Sequence, residues 1–262
     1  MSNRINSFRH ALKAEWVKGR RTFLRYSPIV FAVSALLLLL PMVLKDFTAW
    51  QPRISQTIAL EVVIIGSQFW IMMVLPAYCI VAALQSFYSE HTQSMWKHIN
   101  VQPVTGVAQT LAKHFCAWCY VALATTIFFG FLALILLVLQ LVYSDLNVGL
   151  NDTGFWFTTC KLSLWSTFGG VVIISILNSL AARVPGTTIT LLIGFLGMLM
   201  PIFVKTTDSA ARFLPWMIEK VPIHHLLFSN DPYNPWWVIV PFAWIALCLA
   251  VHCAWQRLKP LY

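Results

Sequence analysis

Charged residues are scarce in this sequence. Only 10% of its 262 residues are Asp, Glu, Lys or Arg, whereas 59% are apolar. A typical soluble domain is about half apolar and about one quarter charged, and a disordered chain has still fewer apolar residues. The composition therefore excludes a disordered chain, and it excludes a soluble nucleic-acid-binding protein despite the formal net charge of +9. It predicts a polytopic membrane protein in contact with the lipid bilayer and with no nucleic-acid partner.

Catalytic and metal-binding motifs are also missing. The sequence has no Gly-x-x-x-x-Gly-Lys-Ser/Thr loop for nucleotide phosphates, no Gly-x-Ser-x-Gly elbow and no His-Glu-x-x-His pair. Its six cysteines lie in or beside apolar runs, where cysteine behaves as a small hydrophobic residue. Cys116-x-x-Cys119 has the spacing of half a zinc site, but no second pair accompanies it. We therefore predict no catalytic residues, no metal site and no disulfide framework.

Six long apolar segments follow one another along the chain. Because a helix needs about 20 apolar residues to cross a bilayer, they predict an all-α fold with six transmembrane helices. The second and third segments exceed that length, so we expect them to tilt or to project beyond the membrane. The predicted segments are Pro28–Leu44, Ile58–Phe87, Phe115–Tyr143, Leu162–Leu180, Thr187–Val204 and Trp236–Trp255.

The distribution of basic residues predicts which way the chain faces. Twelve of the 18 Lys and Arg lie in residues 1–27, in the connections after the second and fourth segments, or in the tail. The positive-inside rule then places both termini in the cytoplasm. On this topology residues 88–114 form a cytoplasmic connection and residues 205–235 form a helical loop on the outer side. We predict one transmembrane domain over residues 1–262.

Residues 1–27 carry an apolar stripe among basic residues. Phe8, Leu12 and Trp16 recur at four-residue steps, as one face of a helix requires, and Arg20 and Arg21 follow. This pattern is typical of an amphipathic helix at the membrane interface. There, each basic residue near anionic lipid contributes about 1 kcal/mol of binding. A solvated basic tail is the alternative interpretation.

A polar sector interrupts the second apolar segment. Glu61 is a carboxylate inside a predicted span, and Gln68, Tyr78 and Gln85 follow it on the same predicted helix. At 100° per residue the four side chains fall within about 120° of one another, so the sector should face protein or a cavity. Acids inside the membrane are costly and commonly functional. The four residues are candidates for a translocation path, with plain hydrogen bonding between helices as the alternative.

The connection over residues 88–114 has the most informative local pattern. An acidic residue follows the end of the second span, and a short stretch that ends in a basic residue comes next. A proline turn and a lysine then precede the third span. In this order the connection resembles that of the six-span permease subunits of ABC-2 type transporters. The amino-terminal run Leu12–Lys18 resembles the branch associated with lantibiotic and bacteriocin self-protection. The positions that match the loop pattern are Glu90, Lys97, Pro103-Val104 and Lys113.

The resemblance implies an ABC-2, type V exporter-like permease fold with no cofactor bound to this chain. Such permeases pair with a second permease chain, identical or homologous, and each binds a separate ABC ATPase that holds ATP and Mg²⁺. The loop would dock in a cleft of that ATPase. Trp96 would be its buried anchor, because aromatic residues contribute disproportionately to interfaces, with Lys97 and His98 beside it. An ordinary solvated loop with an incidental tryptophan is the alternative.

The function that follows is export driven by a partner ATPase in the bacterial cytoplasmic membrane. The substrate would be amphipathic or hydrophobic, and the resemblance implies an antimicrobial peptide and self-immunity. Two alternatives stay open: an ATP-independent channel or carrier, and a non-transporting immunity or sensor protein. Secondary carriers often have repeated halves or several intramembrane charges, whereas this sequence has one shallow glutamate and no visible repeat. An adjacent ATPase gene would favour the first interpretation.

Overall fold

The computed structural model describes residues 2–20, 22–50, 58–92, 105–142, 150, 153–184, 187–204, 211–218 and 236–258. Those residues form helices and contain no β-strand, which confirms the predicted all-α fold. Among the described residues, short 3₁₀ turns lie at Phe23–Arg25, Ala211–Phe213 and Pro215–Met217. The helices are α1 Ser2–Arg20, α2 Ser27–Trp50, α3 Ile58–Phe69, α4 Leu75–Thr92, α5 Gly106–Val142, α6 Thr153–Ala181, α7 Thr187–Phe203 and α8 Trp236–Leu258.

Several of these helices are long and apolar enough to cross a membrane. Within the described residues four segments qualify by length and composition, and two shorter apolar helices accompany them, over Ser27–Pro41 and Thr187–Phe203. Together they overlap all six apolar segments expected from the sequence, while a count of six spans stays a prediction. The four long segments are Ala59–Phe87, Gly106–Val142, Thr153–Ala181 and Trp236–Trp255.

Two helices begin earlier than hydropathy indicates. Helix α5 starts at Gly106 and α6 at Thr153, each nine residues before the predicted apolar segment. At the start of α5, the backbone N–H of Ala108 donates to Thr105 Oγ1 at 3.3 Å, which is the geometry of an N-terminal cap. Hydropathy therefore located the apolar part of each helix, whereas the cap and the local backbone determine where the helix begins.

Helix α5 lies at the centre of the bundle. It packs against α1, α2 and α6, while α4 packs against α6 and α7, and α8 packs against α6 and α5. In the core, the rings of Trp70 and Phe128 stack with centroids 4.4 Å apart, and both side chains are fully buried. Trp70 lies in a single π-helical turn, Trp70–Val74, that joins α3 to α4. The aromatic stack therefore ties this irregular turn to the central helix.

Close packing at Gly197 yields a testable prediction. A Cβ atom at this position of α7 would overlap the indole ring of buried Trp216. We expect Gly197→Ala to lower the free energy of unfolding by about 1–3 kcal/mol, the usual cost of overpacking. Gly130→Ala is the matched control, because a Cβ at Gly130 meets no atom within 4 Å. Alanine there should stabilise α5 by up to about 1 kcal/mol. Unfolding by denaturant in detergent micelles would measure both, and equal stabilities would contradict the packing.

Candidate coupling region

The predicted ATPase-docking residues lie mostly outside the described part of the chain. Trp96, Lys97, His98 and Pro103 fall within residues 93–104, which the structure does not describe. Glu90 lies in α4, where the backbone alone is described. The loop role of these residues therefore stays a prediction. The structure does describe the two helices that carry the loop, α4 up to Thr92 and α5 from Gly106.

Helix α1 runs alongside the first turns of α5. The backbone N–H of Thr105 donates to Ser7 Oγ at 3.2 Å, and Glu15 Oε1 lies 3.6 Å from Lys113 Nζ. Both pairs are 98 residues apart in sequence, so a step along α1 matches an equal step along α5. Because helices rise about 1.5 Å per residue, this constant offset means that α1 and the start of α5 lie parallel.

The contacts of α1 reach both ends of the undescribed connection. Before it, Lys18 Nζ donates to the carbonyl oxygen of Ser86 at 3.2 Å. After it, Ser7 accepts from Thr105. Helix α1 therefore ties the last turns of α4 to the first turn of α5. We name these contacts the α1 brace, which comprises Ser7, Glu15 and Lys18 of α1 with Ser86, Thr105 and Lys113.

The ion pair of the α1 brace is poorly exposed to solvent. Lys113 is 5% exposed, and its ammonium also lies 4.7 Å from the centre of the Phe87 ring. Glu15 faces Lys18 as well, at 3.9 Å, so one carboxylate lies between two ammonium groups. A buried ammonium is costly unless a carboxylate compensates for its lost hydration. Glu15 provides that compensation at the point where α1, α4 and α5 meet.

An aromatic stack continues the same interface. The rings of Trp16 and Tyr120 lie nearly parallel, with 9° between their planes and centroids 6.3 Å apart. Gly19 faces the hydroxyl end of Tyr120, and a Cβ atom there would collide with it. The absence of a side chain at Gly19 thus allows α1 to approach α5 closely.

A buried histidine pair joins α5 to α8 beside the brace. His114 Nε2 lies 3.1 Å from His252 Nδ1, so a proton on either nitrogen forms a hydrogen bond between the two rings. Both residues are at most 1% exposed. His114 follows Lys113 directly in sequence, and the ring of Phe87 lies 6.3 Å from that of His252. The carboxyl-terminal helix therefore meets α4 and α5 at the same end of the bundle as α1.

Sequence reasoning did not single out Glu15, His114 or His252 as site residues. The signal for Glu15 was its position as one of two acids on the predicted cytoplasmic side, among twelve basic residues. Nothing comparable marks the histidine pair, because its members lie 138 residues apart. Within the described ranges, no group of three or more His, Cys, Asp or Glu is arranged to hold a metal ion.

The four predicted translocation-path residues do not share one environment. Glu61 and Gln68 are exposed, whereas Tyr78 is fully buried against Phe31 and Gln85 is half-buried. The π-helical turn lies between the two pairs and inserts about one residue, which rotates the later side chains by about 100°. A single helical wheel across this segment therefore misplaces its second half. A transport role for these residues stays a prediction.

Gln85 instead lines a small cavity at the brace. The cavity measures about 20 Å³, enough for roughly one water molecule. Glu15, Lys18, Lys113 and Tyr120 also contribute to its wall. Gln85 Oε1 is buried without a hydrogen-bond partner among the described residues, and the cavity that Gln85 lines is bordered by charged side chains. The structure thus joins one predicted path residue to the α1 brace.

The predicted interfacial residues occupy the outer flank of α1. Trp16 is 52% exposed and Arg20 is exposed, while Phe8 and Leu12 are half-buried. Arg21 lies outside the described residues. The side of α1 that packs on α5 instead carries Ser7, Ala11, Glu15 and Gly19. The apolar stripe of Phe8, Leu12 and Trp16 therefore lies beside the α5 contact, and about half of the Trp16 side chain stays exposed.

Comparison with known proteins identifies the family of the chain. The family model described as "ABC-2 family transporter protein" matches residues 11–197, more than half of the chain and nearly all of the region from α1 to α7. A comparison with curated proteins finds no match. The apolar helices and the family together indicate a multi-pass membrane component of a transport system. The chain belongs to the ABC-2 family of transporter proteins.

Proposed function

We propose that this chain is the permease subunit of an ATP-driven exporter, and that a separate ABC ATPase moves it through residues 93–104. The observation that carries the proposal is the α1 brace, which holds the chain on both sides of that connection. A loop can transmit a displacement to the bundle only if the helices at its two ends are coupled and move together. Because Lys18 contacts α4 and Glu15 contacts α5, a displacement of the loop would move both helices and α1 as one unit.

The loop residues have distinct roles in this proposal. Trp96 enters a cleft on the ATPase and contributes most of the binding energy, as buried aromatic anchors commonly do. Glu90 and Lys97 are seven residues apart, which places them near one face if the segment is helical. They pair with the partner or with each other, His98 extends the contact, and Pro103 ends the docking segment before α5 begins.

The arrangement of helix ends supports a common cytoplasmic side. Helix α1, both ends of the 93–104 connection and the second half of α8 meet at one end of the bundle, through Ser7, Ser86 and the His114–His252 pair. Phe87 of α4 packs with Ala181 and Ala182, where α6 ends, at the same place. This is the layout that six spans with both termini in the cytoplasm require, and it agrees with the positive-inside prediction.

The ATP and Mg²⁺ of the cycle bind to the partner ATPase in this proposal. The sequence offers no Gly-rich phosphate loop of its own, and members of the family generally work with ABC ATPase subunits. A second permease chain, identical or homologous, completes the pathway across the bacterial cytoplasmic membrane. The substrate is amphipathic or hydrophobic, and self-protection against an antimicrobial peptide is the role that the amino-terminal motif favours.

Co-purification from native membrane tests this function directly. We expect the tagged chain, extracted in mild detergent, to recover an ABC ATPase subunit in near-stoichiometric amount, together with Mg²⁺-dependent ATP hydrolysis. A variant in which Gly and Ser replace residues 93–104 should insert normally and lose the ATPase. The proposal fails if the intact chain is isolated without an ATPase, or if the loop-replaced variant retains it.

A further inference from the structure

A groove separate from the α1 brace lies on the outer flank of the α1–α5 contact. It encloses about 400 Å³, within the size range of ordinary small-molecule sites. Leu12, Lys13 and Trp16 contribute one wall from α1, and Phe115, Cys116 and Cys119 contribute the other from α5. All six lining residues lie on α1 and α5, outside the proposed ATPase-docking segment.

The walls of the groove are apolar and open. Phe115 is 46% exposed and Trp16 is 52% exposed, so two large aromatic side chains border the same concave surface. Phe115 and Cys119 also lie where the long apolar run of α5 begins. The groove therefore lies where the apolar part of α5 meets its more polar first turns.

A line of positive charge follows the edge of the groove. Arg9, Lys13 and Arg20 are four and eleven residues apart, which places them within about 40° on the surface of α1. All three are exposed, and no carboxylate of the described residues lies within ion-pair distance of them. This stripe extends over about 16 Å of helix. It contrasts with Lys18, which points to the brace and has Glu15 and Ser86 as partners.

We propose that this groove binds one anionic phospholipid, with an acyl chain between α1 and α5 and the phosphate at Lys13. The apolar walls match the chain, and the cationic edge matches the headgroup. Trp16 lies between the two, as tryptophan does at the headgroup level of membranes. A zwitterionic phospholipid would fill the same groove but would gain less from the basic edge. An acidic soluble peptide would use the edge and leave the walls exposed.

Lipid binding to the purified full chain tests the proposal. Native mass spectrometry of the detergent-solubilised protein would be titrated with phosphatidylglycerol, with phosphatidylcholine and with glycerol 3-phosphate, the headgroup fragment without chains. We expect one phosphatidylglycerol per chain, bound at least fivefold more tightly than phosphatidylcholine. Lys13→Ala should weaken phosphatidylglycerol about fivefold, and Arg9→Ala with Lys13→Ala about 25-fold, from the contribution of each basic residue near an anionic lipid.

Two further variants separate chain binding from charge. Cys119→Trp fills the exposed wall of the groove, keeps every charge and should weaken phosphatidylglycerol at least tenfold. Lys161→Ala removes one positive charge from α6, outside the groove, and should leave binding unchanged. Equal affinities for the two phospholipids, or binding of glycerol 3-phosphate as tight as that of phosphatidylglycerol, would overturn the proposal. So would full binding by both Cys119→Trp and the double variant.

Discussion

Replacing Trp96 with alanine is expected to release the proposed ATPase partner from the chain. If Trp96 is the buried anchor of the docking segment, its truncation costs at least about 2 kcal/mol of binding, or roughly 30-fold in affinity. The α1 brace does not involve residue 96, so the variant should insert and keep its packing. The measurement is the amount of ATPase subunit, and of Mg²⁺-ATP hydrolysis, that co-purifies with the tagged chain.

A tryptophan at another place on the molecule is the matched control. Trp156 of α6 is exposed on one face and donates its indole N–H to the carbonyl oxygen of Leu150 at 2.9 Å. We expect Trp156→Ala to retain the ATPase at the level of the unmodified chain, and Trp96→Phe to retain most of it. Normal recovery of the ATPase by Trp96→Ala would refute the anchor role and leave the family assignment intact.

Replacing Glu15 with alanine is expected to destabilise the junction of α1, α4 and α5. Lys113, which is 5% exposed, would lose the carboxylate that lies 3.6 Å from its ammonium. Removing one partner of a buried ion pair costs up to about 3–5 kcal/mol, because the remaining buried charge loses a counter-charge and does not regain its water. Unfolding of the purified protein by SDS in mixed micelles would measure the loss, and limited proteolysis would show whether α1 separates from α5.

A second substitution distinguishes burial of the charge from loss of contact area. In Glu15→Ala combined with Lys113→Met, no ammonium remains at the buried position, and methionine replaces its apolar stem with a similar volume. We expect the double variant to recover most of the lost stability, as buried ion pairs replaced by apolar residues commonly do. If the double variant is no more stable than Glu15→Ala, the ion pair does not govern the stability of the brace.

The order and type of the helices could be predicted from the sequence because the cause is local. In lipid each backbone N–H and C=O must form a hydrogen bond within the protein, and a single segment can achieve this as an α-helix. A long apolar run is therefore expected to be helical. The six apolar runs therefore correspond to α2, to α3 with α4, and to α5 through α8. The short loop pattern around Glu90 and Lys97 also pointed to the family that the comparison then identified.

The tertiary structure decided which side chains meet. Glu15 and Lys113 pair because α1 lies parallel to α5, and His114 contacts His252 although 138 residues separate them in sequence. The periodicity within a single segment cannot predict either pair. The π-helical turn Trp70–Val74 likewise rotates Tyr78 and Gln85 away from Glu61 and Gln68. Hydropathy reports the average environment of a segment. The partner of a charge depends on the position of the neighbouring helix, which is determined when the whole bundle packs.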